Sequence, residues 1–319
     1  MQLVIKVIGV GGSGSNTISR MANFDIAGIE LIAVNTDAQA LYFSKGKGGP
    51  KKILIGKDIT KGLGTGMNAE LGKKSAEESK QEILAALLGE PRLSGGKKAD
   101  MVFVTCGLGG GTGSGAAPVI AEISKSLGIL TIGVVTTPFS FEGQERKKIA
   151  ESALKNLKEK VDSVLIVSND KLLKVIDEKT TVQGAFLMCD DILREAVQSI
   201  TDLILVPGII NVDFASVVSI MKNSGQTMFG IGKTFGENRA VLAAEKAISS
   251  PLLDSSMKGA KGVLFSVSGN DVTLNEIQDA AKVITKNVDP RAQIIFGAVK
   301  DKNLKKGEIK IIVIATKLA

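Results

Sequence analysis

Two glycine-rich segments hold the residue types best suited to grasping an anion. Gly107-Leu108-Gly109-Gly110-Gly111-Thr112-Gly113-Ser114-Gly115 has six glycines in nine residues. It lies between an apolar run, Met101 to Cys106, and a helical pattern from Ala116 to Leu127. Strand, glycine loop and helix in that order aim backbone N–H groups and the positive end of a helix at a negative group. Glycine serves where φ is positive or where a phosphate must approach the main chain closely. Thr112 and Ser114 can add hydroxyl donors. A flexible linker would not sit between two apolar elements. The second segment, Gly9-Val10-Gly11-Gly12-Ser13-Gly14-Ser15-Asn16, follows the mostly apolar run Leu3 to Ile8. Gly9, Gly11 and Gly14 satisfy G-x-G-x-x-G, and Asp37 follows roughly 20 residues later, so taken alone this is a dinucleotide pattern.

The pair of loops argues for another ligand. A dinucleotide fold needs one pyrophosphate loop after its first strand, whereas here two loops follow separate strands. Two loops converging beyond the carboxyl ends of a parallel sheet suit a longer phosphate chain, that of a nucleoside triphosphate. The sequence contains no G-x-x-x-x-G-K-[ST], which excludes a P-loop NTPase. A third segment, Gly62-Leu63-Gly64-Thr65-Gly66, is expected to close over the terminal phosphate.

Base recognition follows from helical geometry. Phe186 and Asp190 are four apart and share a helix face. An aromatic ring there stacks on a purine, and a carboxylate accepts from guanine N1–H and the 2-amino group, a donor pair adenine lacks. The structural alternative is that Phe186 is core. Asp190, on the border of an apolar stripe, is harder to explain that way. Glu142 and Arg146 are also four apart, which by itself reads as a surface ion pair.

These residues need elements to carry them. The 319 residues suggest two domains, and 44% hydrophobic with 23% charged residues fits a globular protein with a sizeable core. No apolar run is long enough to span a bilayer, and no signal peptide precedes the first strand. The two cysteines, Cys106 and Cys189, read as buried free thiols of a reducing compartment. Histidine is absent, which removes the commonest general base and metal ligand. Net charge is +7, but the lysine pairs are scattered and there is one tyrosine and no tryptophan, so solvated faces explain them better than nucleic acid.

Strands are expected at 3–8, 29–34, 101–106, 130–136 and 163–167, alternating with helices, which implies an α/β domain with a parallel sheet. A helical run is expected after Asn16, to about Asn23, and Lys45 to Lys52 reads as a loop. Apolar residues from Val182 to Ile204 recur with helical spacing, so a long helix should begin at an N-cap Thr180 or Thr181 and end at Pro207-Gly208. Beyond it come a helix near 213–223, a glycine-rich segment from Ser224 to Gly236, a helix at 237–249, strands at 262–268, 293–299 and 309–315, and a helix at 274–287. That reads as a smaller α+β domain. The resulting division is 1–178, a central helix over 179–206, and 207–319.

The motifs, in this order, resemble the tubulin/FtsZ family, whose prokaryotic members act in cell division. The resemblance rests on the two glycine loops, Val34-Asn35-Thr36-Asp37-Ala38-Gln39-Ala40-Leu41 and Thr137-Pro138-Phe139 with Phe141-Glu142-Gly143 and Arg146. It continues through Asn169-Asp170-Lys171-Leu172-Leu173, Asn211-Val212-Asp213-Phe214-Ala215 and Ile248-Ser249-Ser250-Pro251-Leu252-Leu253, nearly the whole chain. It implies a Rossmann-like GTPase domain, a central helix and a C-terminal domain. The ligands implied are GTP or GDP with Mg2+, held by phosphates and water rather than by protein ligands, and K+ as a further cation. By resemblance Gly11, Gly12, Ser13, Gly14 and Asn16 hold the α and β phosphates. Gly109, Gly110, Gly111, Thr112 and Gly113 hold the β and γ phosphates, with Asn35 and Asp37 near the phosphates and metal. Gly64 and Thr65 border the γ-phosphate; the family's Ala-x-Ala there is Thr65 and Met67, which puts its sensing in question. Glu142 and Arg146 reach ribose and phosphates, and Asn169 joins Phe186 and Asp190 on the base. Gly111→Ser or Thr112→Ala is then expected to weaken triphosphate binding without unfolding the protein.

The family's catalytic loop, N-x-D-x-x-D, acts in trans on the next subunit. Asn211 and Asp213 match it, but Ser216 replaces the second acid, so slow hydrolysis is expected. The resemblance further implies head-to-tail homopolymers in the cytoplasm, at midcell, without direct membrane insertion. The chain stops at Ala319 without the family's usual adaptor-docking peptide, so division adaptors are open. Two alternatives stand beside this reading: a non-hydrolysing filament protein of the same fold, and an NAD-dependent oxidoreductase resting on Gly9, Gly11 and Gly14.

Overall fold

β1 (Ile5–Val10) is buried at every residue, as a central strand covered on both faces must be. Even Lys6 is enclosed there: its Nζ donates to Ala86 O at 2.7 Å and pairs with Glu30 at 3.1 Å. The computed structural model describes residues 3–23, 28–44, 49–89, 96–173, 177, 179–250, 257–301 and 304–317. Two compact units divide the chain, Met1–Val197 and Gln198–Ala319.

In the first unit β2 (Ile29–Asn35), β3 (Lys51–Leu54), β4 (Met101–Gly107), β5 (Leu130–Thr137) and β6 (Ser163–Ser168) join β1 in the order β3-β2-β1-β4-β5-β6, every neighbouring pair parallel. The helices are α1 (Gly11–Met21), α2 (Ala38–Phe43), α3 (Lys57–Thr60), α4 (Ala69–Glu78), α5 (Lys80–Leu88), α6 (Thr112–Ser126), α7 (Gln144–Lys160), α8 (Asn169–Leu172) and the start of α9 (Val182–Leu205), within which the boundary at Val197 falls. Thr181 begins α9, its Oγ1 accepting from Gly184 N at 3.1 Å. A core of Val and Ile from the strands, with Ala116, Ala117 and Ile120 of α6, fills this unit.

The second unit contains α10 (Phe214–Met221), β7 (Gly225–Phe235), α11 (Arg239–Ile248), β8 (Gly262–Gly269), α12 (Leu274–Thr285), β9 (Gln293–Lys300) and β10 (Glu308–Thr316). β10 pairs antiparallel with β7 and β8, and β8 pairs parallel with β9. A mixed sheet with helices is the expected α+β arrangement. Cys106 and Cys189 are buried free thiols, each pushed up to about 12 chiefly by burial.

Three local expectations are corrected. Lys51 and Lys52 begin strand β3, pairing with Ile32 and Ala33, and do not belong to a loop; residues 45–48 lie outside the described residues, as do Pro251 to Leu253 of the quoted motif. Ser224 to Gly236 is mostly the eleven-residue strand β7. Its glycines permit contact: a Cβ on Gly230 would lie 1.9 Å from Ala247 O, and one on Gly232 1.9 Å from Ala243 O. Helix α11 rests directly on the strand's backbone there. Thirdly, the glycine loops are shorter than they look, because α1 starts at Gly11 and α6 at Thr112. Gly232→Ala is expected to lower stability by about 1–3 kcal/mol through overpacking. Chemical denaturation measures this, and an unchanged midpoint would mean that α11 stands farther from β7.

Candidate nucleotide site

β1 runs straight into α1, β4 reaches α6 through residues 108–111, and neither helix has a side-chain cap. Val10 precedes α1 and Gly111 precedes α6, and neither of these N-cap residues makes a side-chain cap hydrogen bond. A helix N-terminus leaves up to four N–H groups without intrahelical partners. Both termini open on one cleft of about 320 Å3, to which Gly11, Gly12, Ser13, Gly110, Gly111, Thr112 and Gly113 contribute. Gly12 and Gly110 face open space: a Cβ on either would meet nothing within 4 Å. A cradle of backbone amides that a side chain would fill is what a phosphate chain requires.

Thr65 also lines the cleft, and the loop carrying it is fastened down. Gly64 N donates to Thr36 O at 3.2 Å, and Ala38 N to Gly62 O at 3.0 Å. Three buried hydroxyls then meet: Thr112 Oγ1 lies 2.6 Å from Thr36 Oγ1 and 3.2 Å from Thr65 Oγ1. Gly111 is packed beneath this cluster, since a Cβ on it would lie 2.2 Å from Thr65 Oγ1 and 2.8 Å from Asn68 N. Gly111→Ser therefore disturbs the protein itself, contrary to the expectation of a change felt only by the ligand. Ser114 is turned inward, its Oγ accepting from Gly109 N at 2.9 Å.

The other end of the cleft holds the groups suited to a base. Phe186 is half exposed, its ring edge-on to Phe139 at 5.3 Å between centroids. Asn169 is buried and its Oδ1 has no hydrogen-bond partner. Asp190 is 7% exposed and accepts from Thr17 Oγ1 at 3.1 Å. Arg20 Nη2 stands 3.5 Å from its other oxygen. Burial pushes the Asp190 carboxyl up to about 6, against the pull of Arg20 and Thr17. Glu142 and Arg146 line the cleft as well, and they also form the ordinary ion pair, Nη1 to Oε2 at 2.6 Å.

Other expected residues lie outside this lining. Gly14 is a packing glycine, whose Cβ would lie 2.6 Å from Thr105 O. Asn16 is exposed. Asn35 Oδ1 accepts from Thr36 N at 2.9 Å, and Asp37 caps α2 by accepting from Ala40 N at 3.0 Å. Gly64 and Gly109 are not among the lining residues, and a Cβ on Gly109 would lie 3.0 Å from Arg146 O. In the second unit Asn211 Oδ1 accepts from Gly208 N at 2.6 Å, and Asp213 caps α10 by accepting from Ser216 N at 2.8 Å. Asn211 and Asp213 are exposed, Ser216 partly so. Sequence reasoning missed Thr17 and Arg20, although a carboxylate bordering an apolar stripe needs a donor or a cation near it.

Known proteins decide between the remaining readings. Residues 4–177 match the GTPase domain of the Tubulin/FtsZ family, and residues 225–319 the C-terminal domain of the FtsZ family. The chain belongs to the tubulin/FtsZ family. It is 50% identical over 312 residues to Cell division protein FtsZ 1 of Pyrococcus horikoshii, covering 98% of this chain and 80% of that one. The same protein of Pyrococcus abyssi matches to the same extent. A solved FtsZ dimer of M. jannaschii is 43% identical, with a TM-score of 0.91 over 99% of this chain and 88% of that one. CetZ2 of Haloferax volcanii shares the fold at 23% identity, with a TM-score of 0.82 over 98% of this chain and 92% of that one. The cleft thus lies in a GTPase domain, and the family binds GTP and GDP. The oxidoreductase reading falls with that. Gly9 serves packing: its Cβ would lie 2.2 Å from Gly14 O.

Proposed function

We propose that this protein is a GTP-binding cytoskeletal protein of cell division, which polymerises head-to-tail and hydrolyses GTP where two subunits meet. The observation that carries the proposal is the single cleft holding two uncapped helix N-termini at one end and Phe186, Asn169 and Asp190 at the other. Phosphates fit the amides, and guanine fits the acidic and amide side chains. Asn169 Oδ1, buried and unpartnered, gains a donor from the base. We take 1–178 as the GTP-binding domain, 179–206 as the central helix and 207–319 as the C-terminal domain. Electron microscopy with GTP, GDP and no nucleotide tests the assembly; absence of filaments with GTP would sink it.

A magnesium ion fits here as a partner of the phosphates. Among the described residues, the carboxylates lining the cleft are Glu142 and Asp190, and each is engaged by an arginine, Arg146 and Arg20. Phosphate oxygens and water would hold it, with Thr112 and Thr65 lining the same cleft. When bound, it neutralises charge on the phosphates. K+ is carried over from the family resemblance as a further cation.

Hydrolysis on this reading is a property of the filament. Head-to-tail contacts are heterologous and need not close, so they extend. Asn211 and Asp213, exposed at the start of α10, reach the neighbour's γ-phosphate and orient the attacking water. The family's second acid is Ser216 here, so turnover is slow. No helix among the described residues is long and apolar enough to cross a membrane. A cytoplasmic protein at midcell, reaching membranes through division adaptors, fits the proposal; localisation by fluorescent fusion tests that part.

Guanine selectivity is the sharpest check on the site. Asp190→Ala leaves two guanine donors unpaired, at about 1–3 kcal/mol, and leaves adenine unaffected. Titration with GTP and ATP measures both; equal losses would refute the assignment.

A further inference from the structure

We propose that Arg20 is a positioning residue for guanine recognition, its guanidinium keeping Asp190 an acceptor and locking α9 against α1. This rests on the reading of Asp190 as the guanine acceptor. Arg20 makes two contacts across α1 and α9: Nη2 lies 3.5 Å from Asp190 Oδ2, and Nη1 donates to Leu187 O at 3.1 Å. Both partners are on α9, one turn apart, flanking the Phe186 face. Thr17, one turn before Arg20 on α1, donates to Asp190 Oδ1 at 3.1 Å. A carboxylate offers about four lone-pair sites. Thr17 and Arg20 take the side toward α1, which leaves one site on each oxygen for the cleft. Guanine, with two parallel N–H donors, needs that arrangement. A protonated Asp190 would present an O–H in place of one acceptor and reject the base.

Burial works against the ionised form, and Arg20 is the largest influence opposing it, followed by the Thr17 hydroxyl. Asp191, the next residue, adds a like charge but is itself paired with Arg194 at 3.6 Å. Across the cleft, Glu142 is paired with Arg146 at 2.6 Å. Arg20 is therefore the cation that faces Asp190 from outside its own helix and is not held by another carboxylate in these contacts.

The sign follows. Guanine binds the ionised carboxylate, so affinity is full above the Asp190 pKa and lost as pH falls through it. Removing Arg20 raises that pKa and moves the loss to higher pH. The experiment measures GTP and ATP affinities between about pH 5.5 and 8.5. The ratio of the two cancels phosphate titration, which both nucleotides share. For the unaltered protein the ratio should be flat above about pH 7 and fall as pH drops through about 6. For Arg20→Gln it should be about tenfold lower at pH 7 and largely recover by pH 8.5. Arg20→Lys keeps the charge and should keep the flat profile. Thr17→Val, which removes one hydroxyl and retains the shape, should shift the profile the same way but less far. It provides the measurement if Arg20→Gln does not fold. A loss independent of pH in Arg20→Gln, or no shift with Thr17→Val, overturns the proposal. An unchanged ratio in Asp190→Asn would instead overturn the reading of Asp190 on which it rests.

Discussion

Replacing Gly110 with valine is expected to leave the nucleotide-free protein as stable as before and to weaken GTP and ATP alike by about two to four factors of ten. The position combines two properties that Gly111 does not. It lines the cleft, and a Cβ there meets no protein atom within 4 Å. The new side chain therefore occupies ligand space and leaves the packing alone. Displacing a phosphate from about two backbone donors, each charge-assisted bond worth roughly 1.5–3 kcal/mol, gives the stated range. Both nucleotides share the triphosphate, so the loss should not discriminate, in contrast with Asp190→Ala. Calorimetric titration gives the affinities, and thermal melting without nucleotide gives the control. A lowered melting point would show that the loop supports the core. Unchanged affinity would place the phosphates elsewhere.

Gly111 illustrates what the sequence could and could not express. Six glycines in nine residues announce a loop near an anion, but composition does not separate glycines that face the ligand from those that let elements touch. Gly12 and Gly110 are of the first kind; Gly9, Gly14 and Gly111 are of the second. The parallel strands were legible because strands buried on both faces are continuous apolar runs, and β4, β5 and β6 fall within a residue or so of their expected limits. β7 was not, because Gly230 and Gly232 carry a turn signal locally while their purpose is contact with α11, a partner distant in sequence. Phe186 and Asp190 were legible as a pair because both lie on α9, where spacing alone fixes a shared face. Thr17 and Arg20 belong to α1 and reach Asp190 through tertiary packing, across 173 residues for Thr17. Spacing within one helix carries no trace of such a contact.

Ser216→Asp is expected to raise GTP turnover by one or more factors of ten and to shorten filament lifetime. Asp213 begins α10, and the hydroxyl and N–H of Ser216 hold its carboxyl below the usual carboxylate range. A carboxylate that already accepts from its neighbour is a weak base toward water. Aspartate at 216 removes the hydroxyl donor, adds a second acceptor and places a like charge nearby, which raises the basicity of the pair. Folding should tolerate the change, because acids in a first helical turn are favoured by the helix dipole. A base that positions and activates water contributes typically ~100- to 10,000-fold, and each factor of ten is about 1.4 kcal/mol of barrier. If the residue acts on the next subunit's nucleotide, as proposed above, turnover per subunit should rise with protein concentration in both proteins and level off once filaments form. Phosphate release measured against protein concentration tests both points together. Turnover independent of concentration would place the catalytic acid within the subunit that holds the GTP. A parent protein as fast as the Ser216→Asp variant would show that serine at 216 is no impairment, and that Asn211 and Asp213 suffice to orient the attacking water.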